Sequence, residues 1–190
     1  MHTNRRHVLA ALALVPGMAL AASLLAESGS DQEHEEIERT DLAAKNAAII
    51  RRQNALMNSG DYSAAAQFGA EDSDNFGRPV GRKGTLAILA DIYTTFPDWR
   101  MEIEELAAVG DAVITRVTVT GTHKGVGKRH INGGLLVGVP PTGKSFKVEH
   151  IHWCRLKDGL IVDHYAVRDD LGMMQQLGLL PQVKPYPPPT

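Results

Sequence analysis

The chain concentrates side chains that can move protons between residues 150 and 170. They are His150, His152, Asp163, His164, Asp169 and Asp170. An imidazole titrates near neutral pH, so either of the first two histidines could act as a base without a carboxylate. A carboxylate could do the same work if its surroundings raised its pKa toward the working pH. These residue types favour general acid–base chemistry in this stretch.

Strand alternation predicts which of these side chains share a face. Asp158-Gly159 is a strong hairpin-turn signal, so a strand is expected on each side of it. Successive side chains of a strand point to opposite faces, and Asp163 falls on the outward one. The face shared by the candidates carries Phe146, Val148, His150, His152 and Cys154 on the first strand, and Val162, His164, Ala166 and Arg168 on the second.

Several roles are open for this face. Arg168 could hold a substrate carboxylate or stabilise an enolate oxygen. His150 and His152 together with His164 also have the form of a three-histidine metal site that leaves one position open. The plainest alternative is that each histidine is a polar group satisfied by a neighbour in the sheet. Asp169 and Asp170 are expected to cap the last helix.

Composition narrows the class of protein. A chain of 190 residues is long enough for one domain with a proper core. The net charge is −2 and the pI is about 6.4, with no dense basic stripe, so we expect no nucleic-acid partner. The single cysteine, Cys154, excludes an intrachain disulfide and a cysteine cluster for zinc, and is expected to be a small buried apolar residue.

The N-terminal segment differs from the rest. Arg5 and Arg6 precede an apolar run, and Ala19-Leu20-Ala21 offers a cleavage site. This layout is typical of a secretory signal, and the adjacent arginines are typical of the twin-arginine type. We therefore predict a signal over residues 1–26, a polar linker over 27–36, and export to the periplasm. No later apolar run reaches the roughly 20 residues that a membrane span needs.

Helices are predicted before strands. A helix from Ile37 is stopped by Gly60, Asp61 caps a short second helix, and a third helix ends at Pro97. "GAEDSDNFGRPVG" is a loop by composition. Most of residues 99–168 is expected as strand, with a bulge near Leu106, a turn at Gly110-Asp111 and a further strand in "HINGGLLVGV". A short last helix and a disordered Pro-rich tail over 182–190 follow.

Helices followed by antiparallel strands predict an α+β fold. A strongly curved sheet with helices on its concave side would enclose a pocket, which is the default place for a site. Three segments make the sequence recognisable: "TFPDWRMEIEELAAVGDAVITRVTVTGTHKG", "VPPTGKSFKVEHIHWCRLKDGLIVDH" and "RDDLGMMQQLGLLP". They resemble the SnoaL-like polyketide (ester) cyclase family, in the nuclear transport factor 2-like superfamily of cone-shaped α+β barrels. The resemblance covers residues 37–181, which we take as the domain.

The resemblance implies a chemistry. The best-known cyclases of the family close a ring by an intramolecular aldol condensation without a cofactor, and a carboxylate removes a proton next to a carbonyl. In the family pattern this Asp comes two residues after a His that looks like His164. Ala166 occupies that position here, so the family's base is absent. Because the superfamily mostly works without metal, we predict neither metal nor cofactor.

The resemblance also points to pocket residues. A pocket-lining His of the family looks like His152, which assigns the His150/His152 face to the cavity. Asn75 and Phe76 lie in the predicted loop before the third helix, where family members often have a His or Asn entering the pocket. Asn75 could orient a carbonyl. His123, Lys124, Lys128, Arg129 and His130 could form a lid over the cavity or simply a solvated loop.

Three functions remain open. The first is an exported, cofactor-independent enzyme acting on a small, largely apolar carbonyl compound, with His152 and His150 as catalytic residues and Asn75, Phe76, His164 and Arg168 binding the substrate. The second is a non-catalytic protein that binds a small hydrophobic ligand and has lost the base, as Ala166 suggests. The third is an interaction scaffold. Since dimers are common in the superfamily, a homodimer would fit all three.

Overall fold

The computed structural model describes residues 16–129 and 136–181. The predicted tail, His130, and the first part of the predicted signal lie outside these ranges. The chain divides into two units between Glu38 and Arg39, and the sheet and the cavity described below belong to the second. Within the described residues, no helix is long and apolar enough to cross a membrane.

The helical part begins with α1 (Pro16–Asn58), which is longer than predicted. Residues 27–36, expected as a linker, are helical within it, since the Glu and Gln residues there are good helix formers. The chain leaves α1 at Gly60, whose φ of 83° suits glycine. The predicted cap of α2 (Tyr62–Ala66) is confirmed, because the Asp61 carboxylate accepts from the Ala64 N–H at 3.0 Å. Helix α3 (Gly81–Thr95) ends just before Phe96-Pro97.

The prediction of a loop over residues 69–81 is wrong. The structure has β1 (Gly69–Asn75) and β2 (Arg78–Pro79) there, joined by a tight turn at Phe76-Gly77. The residues of β1 are mostly polar, so composition indicated a loop. They form a strand because β1 pairs with a strand far along the chain, a contact that local sequence does not show.

The remaining strands are β3 (Arg100–Val109), β4 (Ala112–Thr122), β5 (Ser145–Lys157) and β6 (Leu160–Arg168). The six strands form one sheet in the order β2-β1-β6-β5-β4-β3. All neighbours are antiparallel except β1 and β6, which are parallel, so the expected antiparallel sheet is mixed at this one pair. The predicted bulge is confirmed by a register shift between Ile103 and Glu105.

The hairpin of β5 and β6 has the predicted turn, since Asp158 and Gly159 both have positive φ. A register shift follows it, which leaves Val162 as an extra residue on β6. Val162 therefore does not continue the face of His164, Ala166 and Arg168, as simple alternation had placed it. Helix α4 (Asp170–Gln176) then packs back on β5, and Asp169 caps it through the Gly172 N–H at 2.7 Å.

The curled sheet wraps its inner face around an apolar core. Alternate residues of β5 are buried, which confirms the predicted inner face. Cys154 is buried there among apolar residues, as expected. The largest cluster holds Phe96, Trp99, Val117, Val119, Phe146, Val148, Met173 and Leu177. Helices on one side of a curled, mostly antiparallel sheet make the α+β, cone-like fold that was predicted.

The loop that follows β4 is anchored rather than free over its described part. The Asp91 carboxylate on α3 accepts from the backbone N–H groups of Lys128 and Arg129. Gly125 lies so close to α3 that an added Cβ would meet the Thr94 carbonyl oxygen at 1.9 Å. His123, predicted in a lid or solvated loop, is fully buried beside Phe96. In the stretch predicted as a further strand, residues 136–139 form a turn with one isolated bridge.

The outer face of the hairpin carries exposed apolar side chains. Ile151 lies opposite Val167, and Trp153 lies opposite Tyr165. Their exposed fractions run from 45% to 76%. A patch of this kind is where a second copy of the chain would bind. The homodimer stays a prediction, which sedimentation of the full chain tests.

Candidate active site

A cavity of about 170 Å³ lies between the helices and the inner face of the sheet. Most of its wall is apolar, with Ile50, Met57, Leu89 and Ile92 on the helical side. Polar side chains also line it, at twelve positions. They are Gln53, Asn54, Ser73, Asp74, Asn75, Thr85, Trp99, Thr115, His150, His152, His164 and Arg168. A cavity that combines apolar surface with convergent polar groups is typical of a small-molecule site.

Three of the predicted residues form one hydrogen-bonded chain. The Nδ1 atom of His152 lies 2.9 Å from Nε2 of His164, and Nδ1 of His164 lies 2.8 Å from Oδ1 of Asn75. Asn75, expected to orient a substrate carbonyl, lines the cavity, and its side-chain oxygen lies on His164. The parallel pairing of β1 and β6 puts Asn75 level with His164.

The chain fixes where the protons lie. An amide oxygen only accepts, so Nδ1 of His164 carries the hydrogen and its Nε2 is a lone-pair acceptor. That acceptor takes the N–H of His152 Nδ1, which leaves the lone pair of His152 on Nε2. This Nε2 is buried and has no hydrogen-bond partner. His152 therefore presents an unprotonated nitrogen, the atom that a general base needs.

Burial keeps these rings neutral. Desolvation lowers the pKa of His164 to about 4, and the nearby Arg168 acts in the same direction. Desolvation, followed by repulsion from His164, His150 and Arg168, lowers the pKa of His152 well below 6.5. Desolvation, with Arg168 beside it, lowers the pKa of His150 to about 4. All three imidazoles are thus free bases at neutral pH.

Ala166 lies directly across from His152 in the register of β5 and β6. A carboxylate at this position would point from the same inner face toward the His152 ring, because paired residues of adjacent strands share a face. The alanine methyl supplies no proton acceptor. The imidazole of His152, directly opposite, can accept a proton.

Arg168 and Phe76 lie together beside His150. Arg168 is level with His150 across the two strands, and its guanidinium carbon lies 5.1 Å from the centre of the Phe76 ring. The ring of Phe76 packs edge-on against His164. Phe76 adopts a φ of 54°, which a bulky residue rarely does, so the β1–β2 turn holds it in place. Both residues line the cavity, as predicted.

The aspartates of the candidate stretch play structural parts. Asp169 caps α4, as expected, and Asp170 forms an ion pair with Arg168 at 3.3 Å. Asp163 lies opposite Arg155 on the outer side of the pairing, in line with its predicted outward face. Its Oδ1 atom is buried and has no hydrogen-bond partner.

The metal alternative finds no support in the geometry of the histidines. Nδ1 of His152 and Nε2 of His164 face each other at hydrogen-bond distance, so one ion could not use both. Over residues 16–129 and 136–181, no group of three or more His, Cys, Asp or Glu side chains is arranged to hold a metal ion.

Two polar groups of the cavity were not singled out from the sequence. The Nε1 atom of Trp99 and the Oδ1 atom of Asn54 are buried without a hydrogen-bond partner, and both side chains line the cavity. A bulky ring such as that of Trp99 favours packing in the core or along an apolar wall. That packing is present, against Phe96 and Phe146, but it leaves the indole N–H facing no acceptor.

The chain matches a known protein family and solved structures. The family model for the SnoaL-like polyketide cyclases matches residues 47–177. The chain therefore belongs to the SnoaL-like polyketide cyclase family, as the three sequence segments predicted.

Individual relatives match this chain over part of its sequence or in their three-dimensional fold. The chain is 46% identical over 61 residues to the aklanonic acid methyl ester cyclase DnrD of Streptomyces peucetius, covering 32% of this chain and 37% of DnrD. It is 46% identical over 50 residues to the nogalonic acid methyl ester cyclase of Streptomyces nogalater, covering 26% and 36% of the two chains. These matches span little more than a third of either relative. The solved structure of AclR from Streptomyces galilaeus, described as a proposed hydroxylase, has a TM-score of 0.62 at 26% identity and covers 75% of this chain and 87% of AclR.

Proposed function

We propose that this protein is a cofactor-independent enzyme that removes a proton next to the carbonyl group of a small, largely apolar compound. The observation that carries the proposal is the chain from Asn75 through His164 to His152, which ends on a bare nitrogen in an apolar cavity. Unneeded polar groups in such a cavity would cost stability. Their hydrogen-bonded order instead suits proton transfer.

The geometry suggests how a proton would move. His152 Nε2 takes the proton from the carbon next to the carbonyl, and an enolate remains. The new charge on His152 is shared through its Nδ1–H with His164 Nε2, while Asn75 Oδ1 holds the far proton of His164. His150 and Arg168, next to the His152 ring, supply polar contacts for the substrate oxygen.

The enclosed volume limits the substrate. An apolar cavity of about 150 Å³ holds a benzene molecule. The 170 Å³ cavity described above therefore suits about one ring with a short substituent. The named relatives act on methyl esters of aklanonic acid and nogalonic acid. We accordingly propose small ketones and methyl keto-esters as the substrate class.

Hydrogen exchange tests the proposal without knowledge of the complete reaction. The full chain is incubated in D₂O with acetophenone, methyl acetoacetate and similar small ketones, and the proton signal next to each carbonyl is followed by NMR. We expect the protein to speed loss of this signal above the buffer rate for at least one compound. If no compound in the panel exchanges faster than in buffer, the protein is not a base catalyst of this class.

A binding protein without catalysis is the second candidate, and Ala166 is the observation that favours it. In that case the cavity holds its ligand, and the histidines serve only as hydrogen-bonding groups. The protein would then bind ketones from the panel without speeding their exchange. Titration calorimetry with the same compounds separates binding from exchange.

Restoring a carboxylate at position 166 is expected to raise exchange. Ala166→Asp places an acid across from His152, where the family resemblance implies the base, and a positioned base contributes about 10²-fold or more. The opposite charge also raises the pKa of His152. Because a carboxylate enters an apolar cavity, we expect the free energy of unfolding to fall by about 1–3 kcal/mol.

The matched control is Ala166→Asn, which has the same shape without a proton acceptor. Equal exchange rates for the Asp and Asn variants would show that the vacant base position does not limit catalysis. Exchange that appears only in the Asp variant, with an inactive parent, would favour the binding protein.

We also propose that the chain is exported to the periplasm by the twin-arginine route, supported by Arg5, Arg6 and the apolar run behind them. Replacing both arginines by lysine should leave nearly all of the protein in the cytoplasm, as measured by fractionation of cells that have this export system. Arg51→Lys with Arg52→Lys, an exposed pair on α1, is the control. Unchanged periplasmic protein after the first double substitution would refute this route.

A further inference from the structure

The indole N–H of Trp99 is a buried donor without an acceptor. The residue is 8% exposed, and its Nε1 atom has no hydrogen-bond partner. An indole nitrogen only donates, and buried tryptophans usually satisfy this group. Leaving such a donor unpaired costs about 1–3 kcal/mol. A bound ligand oxygen would remove this cost.

Packing alone does not explain a tryptophan here. The ring lies against Phe96 and Phe146, with centroids 5.7 Å and 6.1 Å away. Ring-to-ring contacts of this kind need no polar N–H, and a phenylalanine would also provide them. The polar N–H adds nothing to them, yet the side chain lines the same cavity as the histidines.

The position of Trp99 relative to the base is informative. The His150 and His152 rings lie 5.6 Å apart. Trp99 and His150 both line the main cavity and also a smaller adjoining one, so His150 lies in the wall between them. This cavity is therefore lined by an acceptor, His152, by a donor, Trp99, and by His150, which lies next to His152.

We propose that the substrate has two functional groups. One is an acidic C–H or O–H that faces His152, and the other is a separate carbonyl oxygen that accepts a hydrogen bond from the indole N–H of Trp99. This inference rests on the proposed function only in assuming that the cavity binds a carbonyl compound. It names dicarbonyl and hydroxy-carbonyl compounds as the substrate class. Trp99 becomes a catalytic residue when its N–H holds the oxygen on which charge develops.

Two one-ring probes test this assignment. 4-Hydroxyacetophenone carries a hydroxyl that can donate to His152 and a ketone oxygen that can accept from Trp99. 4-Isopropylphenol has nearly the same shape but a methyl group in place of that oxygen. Their affinities for the full chain and for Trp99→Phe are measured by titration calorimetry. We expect Trp99→Phe to weaken the binding of 4-hydroxyacetophenone roughly tenfold and the binding of 4-isopropylphenol less than twofold.

The unsubstituted protein provides a second readout, which does not require that the variant fold. The chain has two tryptophans, and Trp153 lies on the exposed outer face. The two indole N–H signals are resolved by ¹⁵N–¹H NMR and assigned with Trp153→Phe. We expect the ketone probe to move the Trp99 proton signal downfield, while 4-isopropylphenol does not and the Trp153 signal stays in place.

Each other outcome overturns the assignment. The assignment is wrong if the Trp99 signal does not move when 4-hydroxyacetophenone binds. It is also wrong if Trp99→Phe lowers the affinity for both probes equally, or if neither probe binds. Each of these results would show that Trp99 does not select a carbonyl oxygen. The proposed function fails separately. Selective binding through Trp99, together with no exchange of any ketone, would leave the inference standing for a binding protein.

Discussion

Replacing His152 by alanine is expected to slow the exchange of substrate protons by about 10²- to 10⁴-fold. The side chain supplies the bare Nε2 nitrogen in the cavity, and no carboxylate at position 166 can take over. The free energy of unfolding should fall by about 1–3 kcal/mol while the chain stays folded, because His164 Nε2 loses its hydrogen-bond donor. Exchange is measured by NMR in D₂O, and stability by urea unfolding.

Asn75→Leu is the informative companion variant. It keeps His152 but removes the oxygen that fixes the His164 tautomer, 2.8 Å from Nδ1. We expect a smaller loss of exchange rate, with Asn75→Asp restoring part of it because a carboxylate oxygen also accepts from Nδ1. Equal loss of fold and exchange in His152→Ala would instead mark His152 as a structural histidine.

Acid is expected to destabilise the protein strongly between pH 6.5 and pH 4. The pKa of His150 and that of His164 are each lowered from 6.5 to about 4 in the folded chain. In this window the unfolded chain binds protons that the folded chain does not, so stability falls as pH falls. Each group contributes about 3 kcal/mol at pH 4, a large part of a typical total of about 5–15 kcal/mol. Above pH 6.5 these two groups have no effect.

Urea unfolding at a series of pH values measures this slope. Buried His152 and His123, whose pKa values are also lowered by desolvation, add to it in the same direction. His164→Gln should flatten the curve between pH 6.5 and pH 4, whereas His34→Gln, at an exposed position on α1, should leave it unchanged. A curve that is flat in the parent would mean that the histidines are hydrated in solution.

Much of the fold follows from local patterns. Four features depend on residues that are close in sequence. Asp158-Gly159 forms the turn of the β5–β6 hairpin, Gly60 ends α1, and Asp61 caps α2. The fourth is the bulge in β3. Strand β1 depends on pairing with β6, far along the chain, and β2 in turn pairs with β1. A polar segment such as "GAEDSDN" has no local feature that distinguishes such a strand from a loop.

In the candidate site, too, some features follow from local sequence and others depend on contacts between distant segments. Alternation places His150 and His152 on one face of β5, and the family resemblance turns that face inward. The contact between His152 and His164 is diagonal across two strands, so it depends on the register set near Val162. The role of Asn75 depends on the parallel strand β1, which the sequence did not reveal. Trp99 lies in the core, and the direction of its N–H is a property of packing that local sequence does not show.

The strict alternation along β5 also limits how this protein can evolve. Each cavity histidine has chain neighbours on the outer face, Glu149 and Ile151 for His150, and Ile151 and Trp153 for His152. Loss or gain of a single codon within the strand would turn both histidines to solvent and bring Ile151 and Trp153 into the cavity. Descendants of this sequence can therefore change their chemistry by substitution, as at Ala166, but length changes must fall in the turns.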